Sequence, residues 1–200
     1  DLKKVRDAGK WATALQHYLA SISFMDAQLG KLLGALEESP HADNTVIVLW
    51  SDHGWHLGEK QHWHKRTLWE ETTRVPLIVV GPKVGESKQV CAQPASLLDL
   101  FPTLIELCGL PALKNQTMDG ISLVPWLLDP AKRRTRNAIT VHELQHMSVR
   151  SNQYRYIRYI DGSEELYDLF NDPKEWDNRI GDSSFEPIRK RLSAELPKQF

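Results

Sequence analysis

Cysteine is almost missing from this 200-residue chain: Cys91 and Cys108 are all there is. Two thiols cannot build a disulfide framework, so the cysteines leave the redox compartment open. Long apolar runs are missing too. No stretch approaches the roughly 18 consecutive apolar residues of a membrane span. Neither charge sign dominates, with 25 Lys+Arg against 26 Asp+Glu and a formal net charge of -1. That balance argues against a basic nucleic-acid surface or a polybasic membrane anchor. Internal repeats and low-complexity tracts are absent. The first residue is Asp1, inside a charged, helix-like segment. The chain therefore reads as an excerpt of a longer protein, and the lack of a leader carries no information. What remains is ordinary: 41% hydrophobic and 26% charged residues, as in a soluble globular protein of one or two domains.

Periodicity supplies the elements. Trp11, Leu15, Tyr18, Ile22, Met25, Leu29, Leu32 and Leu36 recur in steps of four and three, which specifies an amphipathic helix ended by Pro40. Leu19, Phe24 and Leu33 widen the stripe beyond a coiled-coil seam, so packing onto a sheet is expected. Thr45 to Trp50 and Pro76 to Val80 are β-branched runs without polar alternation, read as strands buried on both faces of a parallel or mixed sheet. Ser96 to Leu107 reads as a helix stopped by Gly109 and Pro111. Lys132, Arg133, Arg134 and Arg136 form a basic connector, read as a solvated loop. Beyond it Ala138–Val141, Met147–Arg150, Tyr154–Ile160 and Leu166–Asp168 read as short strands, with Asp161-Gly162 as a turn. A helix over Phe185 to Leu196 closes the chain. Two parts are expected: residues 1–135, and a small antiparallel sheet with its helix at 136–200.

Chemistry concentrates just after the first strand. Asp52 offers a hard oxygen and neutral His53 a nitrogen, adjacent on a loop where Gly54 lets the backbone turn. The carboxyl ends of strands are where ligands sit in open α/β sheets. Two donors do not complete a cation's shell, so other ligands must come from elsewhere. His53, His56, His62 and His64 are half of the eight histidines. Trp55, Trp63, Lys60, Lys65 and Arg66 are interleaved with them. Such a loop is poor core material and good pocket lining.

These residues carry a resemblance. Ser51-Asp-His-Gly-Trp-His-Leu-Gly-Glu-Lys60, Trp63-His-Lys65 and Arg74-Val-Pro-Leu-Ile78 resemble the second signature region of the sulfatases, nearest the iduronate-2-sulfatase-like branch. Ser23 to Gly30, Leu97 to Leu104, Cys108 to Pro111, Tyr154 to Arg158, Glu165 to Leu169 and Asp172-Pro173 extend the likeness in order along the chain. The resemblance implies an alkaline-phosphatase-like α/β sandwich, represented here by its C-terminal portion. It implies Asp52 and His53 as ligands of a divalent cation, usually Ca2+, with Mg2+ or Mn2+ as alternatives. It implies Lys65 on the sulfate group as a catalytic residue, with Trp55 and His56 as substrate-pocket candidates. The family's nucleophile is a formylglycine made within Cys/Ser-x-Pro-x-Arg. Cys91 and Cys108 each have proline one position too late and no arginine, so no nucleophile is expected in this chain and the isolated piece is expected to be inactive. The substrate implied is a sulfate ester, a sulfated saccharide foremost, in a periplasmic, secreted or lysosome-like compartment. Phosphodiester or phosphonate monoester hydrolysis shares the same metal logic. A carbohydrate-binding relative without catalysis is the reading from another class.

A competing motif is His142-Glu143-Leu144-Gln145-His146, an H-E-x-x-H that on a helix would bind zinc. Its flanks read as strand, where residues four apart sit about 13 Å apart, and this weighs against a metalloprotease. Asn115-Gln116-Thr117 is a glycosylation sequon, meaningful only on a eukaryotic secretory route.

Overall fold

The computed structural model describes residues 1–82, 84–85, 88–111, 116–143 and 145–198. Asn115 of the sequon and Leu144 of the H-E-x-x-H stretch lie outside the described residues.

A short helix α1 (Leu2–Asp7) leads into α2 (Trp11–Glu37), the helix expected from the four-three spacing. Among the described residues none of those in α2 is buried; Leu19, Ile22, Phe24, Met25, Leu32 and Leu33 stay open to solvent. The expected packing onto a sheet is therefore not made among the described residues. α2 contacts α1, with the Arg6 guanidinium over the Trp11 ring, and the histidine-rich loop: Trp11 meets Trp63 edge-on at 5.4 Å, and Tyr18 lies 6.4 Å from Trp55. The sheet it would need is narrow. Among the described residues β1 (Ile47–Trp50) pairs only with β4 (Leu77–Val80), antiparallel, with Ile47 opposite Val80 and Trp50 opposite Leu77. An antiparallel pair is within the mixed-sheet expectation, but one part of it is corrected: Trp50, Ile78 and Val80 are about half exposed rather than buried on both faces. Between them lie β2 (His56–Leu57) and β3 (Trp63–His64), a two-residue hairpin pair, and the short helix α3 (Glu70–Thr73).

Ser96 opens the next helix with a capping box closed by Asp99. α4 (Leu100–Cys108) follows and ends on Gly109 at φ +63°, a left-handed position that glycine takes without a Cβ penalty. α5 (Val124–Leu128) starts on a proline-containing turn. Arg134 overturns part of the solvated-connector reading. Its guanidinium sits 2.6 Å from the fully buried Asp99 carboxylate and lies over the Trp126 ring.

The C-terminal sheet is a meander of β5 (Ala138–His142), β6 (His146–Arg150), β7 (Tyr154–Arg158) and β8 (Glu164–Asp168), every pair antiparallel. α6 (Glu186–Ser193) covers one face. There Met147, Val149, Tyr156 and Leu166 pack with Leu192 and Leu196. The other face does something the pattern did not announce. Ile157, Tyr167 and Leu169 pack against Leu68 and Trp69, so the segment that carries the histidine-rich loop is fastened to the back of this sheet. Among the described residues no helix is long and apolar enough to cross a membrane.

Candidate active site

Asp52 and His53 leave β1 where a loop must turn under α3. Gly54 permits the approach, because a Cβ there would stand 2.1 Å from the Glu71 carbonyl oxygen. Its N–H donates to the Thr72 carbonyl at 2.7 Å and that of Trp55 to the Glu71 carbonyl at 2.9 Å. The His53 Nδ1 donates to the Gly54 carbonyl oxygen at 2.9 Å, which leaves Nε2 as the ring's free lone pair. Onto that lone pair the Lys65 ammonium donates, at 2.8 Å. Asp52 Oδ2 lies 3.5 Å from the same Nε2.

A carboxylate oxygen, an imidazole nitrogen and an ammonium thus share one small volume. The donor set suits a divalent cation. Two ligands each about 2.3 Å from one ion at a right angle stand roughly 3.3 Å apart, close to the spacing found. The Nδ1–H held by a backbone carbonyl is how ligating histidines are commonly oriented. Among the described residues no cluster of three or more His, Cys, Asp or Glu side chains is gathered around it. Two such donors do not by themselves complete a cation's coordination sphere.

The loop from Gly58 to Arg66 is strained. Lys60, Gln61, His64 and Arg66 all have positive φ, between +50° and +92°, a conformation costing on the order of 1 kcal/mol or more per L-residue. Contacts to other elements hold it. Arg6 donates to the Gln61 side chain at 2.7 Å and Lys60 to the Tyr167 hydroxyl at 3.1 Å, while the Trp55 ring lies 4.4 Å from that of His64, tilted by 57°. His64, Lys65 and Arg66 line a cavity of about 290 Å³ together with Asp1 and Lys3. Asp52 and His53 do not line it.

His56 departs from its expected place in the pocket lining. The ring is fully buried and bonded through Nε2 to Thr67, which in turn bonds Thr72 at 2.8 Å. Burial, with the nearby His62 adding to it, lowers its pKa from 6.5, so the ring is held neutral. Its contacts are those of a support under the loop.

Composition and motif spacing did not single out the ionic group behind α3. Arg155 and Glu175 are almost wholly buried, 2.6 Å apart, and Arg155 also pairs with Glu70, which Arg150 flanks at 3.3 Å. Burial pushes the Glu175 carboxyl up despite Arg155; for Glu70 burial also pushes up, but Arg155 and Arg150 prevail and pull it down. Lys60 inserts its ammonium between the Trp69 and Tyr167 rings, donating to the Tyr167 hydroxyl and to the Glu175 carbonyl. One signal was available. Arg155 alternates with Ile157 on an inward-facing side of β7, a position that requires a buried partner.

His142 and His146 also depart from expectation. They are not four apart along one strand but directly opposite across the β5–β6 turn, with rings 6.4 Å apart. The 13 Å separation does not apply. Among the described residues of this stretch, His142 and His146 are in strands and Glu143 and Gln145 in a turn, so none is in the helix that a zinc protease motif requires.

Comparison with known proteins identifies the family of the chain. A family model described as "Sulfatase" matches residues 3–110, and one described as "N-sulphoglucosamine sulphohydrolase, C-terminal" matches residues 58–200. The chain belongs to the sulfatase family. A sulfatase of Formosa agariphila is 42% identical over 96% of this chain and 37% of its own length. A solved structure in complex with its substrate D-glucosamine-2-N,6-O-disulfate is 29% identical, with a TM-score of 0.79 over 92% of this chain and 40% of its own. The phosphonate monoester hydrolase of Agrobacterium radiobacter superposes with a TM-score of 0.79 at 25% identity, covering 94% of this chain and 41% of that one. This sulfatase chain thus spans about two fifths of the length of these relatives. Its fold is the C-terminal portion of the alkaline-phosphatase-like α/β architecture they share.

Proposed function

We propose that the protein containing this chain hydrolyses sulfate esters, with a sulfated saccharide as substrate, and that Asp52, His53 and Lys65 form part of its active site. The observation carrying this is the convergence of Asp52 Oδ2, His53 Nε2 and Lys65 Nζ within 3.5 Å and 2.8 Å, in a chain of the sulfatase family. Asp52 and His53 would hold a divalent cation, Ca2+ foremost with Mg2+ or Mn2+ as alternatives, which when bound polarises a sulfuryl oxygen. The Lys65 ammonium would face the sulfate and balance charge redistributed onto its oxygens in the transition state. Trp55 presents a partly exposed ring to a sugar. The nucleophile is a formylglycine outside these 200 residues, and residues 136–200 form a subdomain behind the catalytic part at 1–135. A periplasmic, secreted or lysosome-like setting goes with this reading.

The saccharide is supported by the bound glucosamine disulfate of the structural relative. The likeness to a phosphonate monoester hydrolase favours a second reading, hydrolysis of a phosphonate ester on the same site. Both are tested in the longer protein with matched aryl sulfate and aryl phosphonate esters. Sulfate turnover should dominate and disappear in D52A and H53A. Faster phosphonate turnover installs the second reading, and no turnover of either with intact cation binding leaves a carbohydrate-binding protein.

A further inference from the structure

We propose that Glu175 and Arg155, both in the C-terminal 136–200 segment, are positioning residues for the Asp52–His53 pair and act through α3. Glu175 is fully buried with φ +58°, and each of its acceptor groups is committed. One carboxylate oxygen accepts from the Glu70 backbone N–H at 2.8 Å and the other from Arg155 Nε at 2.6 Å, while its carbonyl accepts from the Lys60 ammonium. Arg155 donates in addition to the Leu68 carbonyl at 3.0 Å and to the Glu70 carboxylate. The first residue of α3 is thereby fixed at its backbone and at its side chain.

The helix passes that constraint on. Its Glu71 and Thr72 carbonyls receive the N–H groups of Trp55 and Gly54, at a place where even a methyl group would not fit. The Gly54 carbonyl in turn holds His53 Nδ1. From Glu175 to the imidazole every link is a named hydrogen bond or a peptide bond. A set of buried charges is no better than apolar packing for stability alone. What this one adds is direction, because Glu175 and Arg155 both bond Glu70, the residue from which the path through α3 leads to His53.

The inference rests on the reading of Asp52 and His53 as cation ligands, so the experiment separates the two. Ca2+ affinity is measured by calorimetry in the longer protein for wild type, D52N, E175Q, R155K and K60M. L192A, on the opposite face of the C-terminal sheet, serves as a control for lost stability. Removing the outer partner of a metal-ligating histidine typically weakens metal affinity about 10–100-fold. E175Q, several links out from His53, should weaken it by about tenfold, the lower end of that range, R155K and K60M less so, and L192A should keep wild-type affinity despite a lower melting temperature. Wild-type affinity in E175Q, R155K and K60M, or an equal loss in L192A, overturns the positioning role. Wild-type affinity in D52N, or no Ca2+ binding by wild type, overturns the ligand reading instead.

Discussion

The Lys65 ammonium donates its hydrogen bond to the same nitrogen of His53 that a cation would use, at 2.8 Å. Ammonium and cation then compete for one lone pair. K65M should leave divalent-cation affinity unchanged or tighter, since a competitor is gone. It should also slow sulfate ester turnover by about 10²–10³, the usual cost of one transition-state donor. Calorimetry and steady-state kinetics on the longer protein check both halves. Weaker cation binding in K65M would show that the lysine supports the ion rather than the oxyanion.

Gly54 makes the closest backbone approach near the site, with Glu71 as its neighbour. G54A should destabilise the fold by about 1–3 kcal/mol, the range for forcing extra atoms into a packed place. The shift should also move the His53 carbonyl partner, so cation affinity falls with it. A G54A protein with wild-type urea midpoint and wild-type affinity would mean the loop is free to lift away from α3.

Much of this was readable before any coordinates. Helix α2 followed from the apolar four-three spacing, and the C-terminal meander from short β-branched and aromatic runs between turn residues. The Asp52–His53–Lys65 grouping followed from a family likeness spread along the chain. What escaped was set by pairing across distance. Neither the antiparallel partner of β1 nor the exposure of α2 is written in local periodicity, because both depend on which surfaces the rest of the chain covers. Arg134 reads as one more charge in a basic run, yet Asp99, 35 residues away, takes it inside. Likewise Glu70 and Glu175 have no local mark of burial, and only the inward-facing Arg155 asks for such partners. His56 looked like pocket lining because its neighbours are polar. The β2–β3 hairpin turned it inward to Thr67.

His56 gives the fold a dependence on pH. Its pKa is lowered below 6.5 by burial and by His62, so between the folded value and 6.5 the unfolded chain binds more protons than the folded one. Stability from this group is complete above pH 6.5 and is lost as the pH falls through the folded pKa. Melting temperatures taken from pH 7.5 down to 5 should decline for the wild type, and H56Q should flatten the curve below 6.5. Parallel curves for the two proteins would dismiss the buried imidazole as the source.

The Arg134–Asp99 pair should matter to stability and not to the site. Asp99 accepts from the Ser96 and Ile121 backbone N–H groups as well as from Arg134, so it ties the start of α4 to the segment before α5. R134M leaves that carboxylate buried with its cation removed, a change that typically costs about 3–5 kcal/mol. D99N with R134M should recover part of the loss, since the uncompensated charge is gone, although the single amide oxygen can accept from only one of the Ser96 and Ile121 N–H groups. Urea unfolding of the single and double variants measures both effects, and cation affinity should stay at the wild-type value in each. A double variant no more stable than R134M would show that the cost lies in lost packing of the guanidinium on Trp126 rather than in the stranded charge.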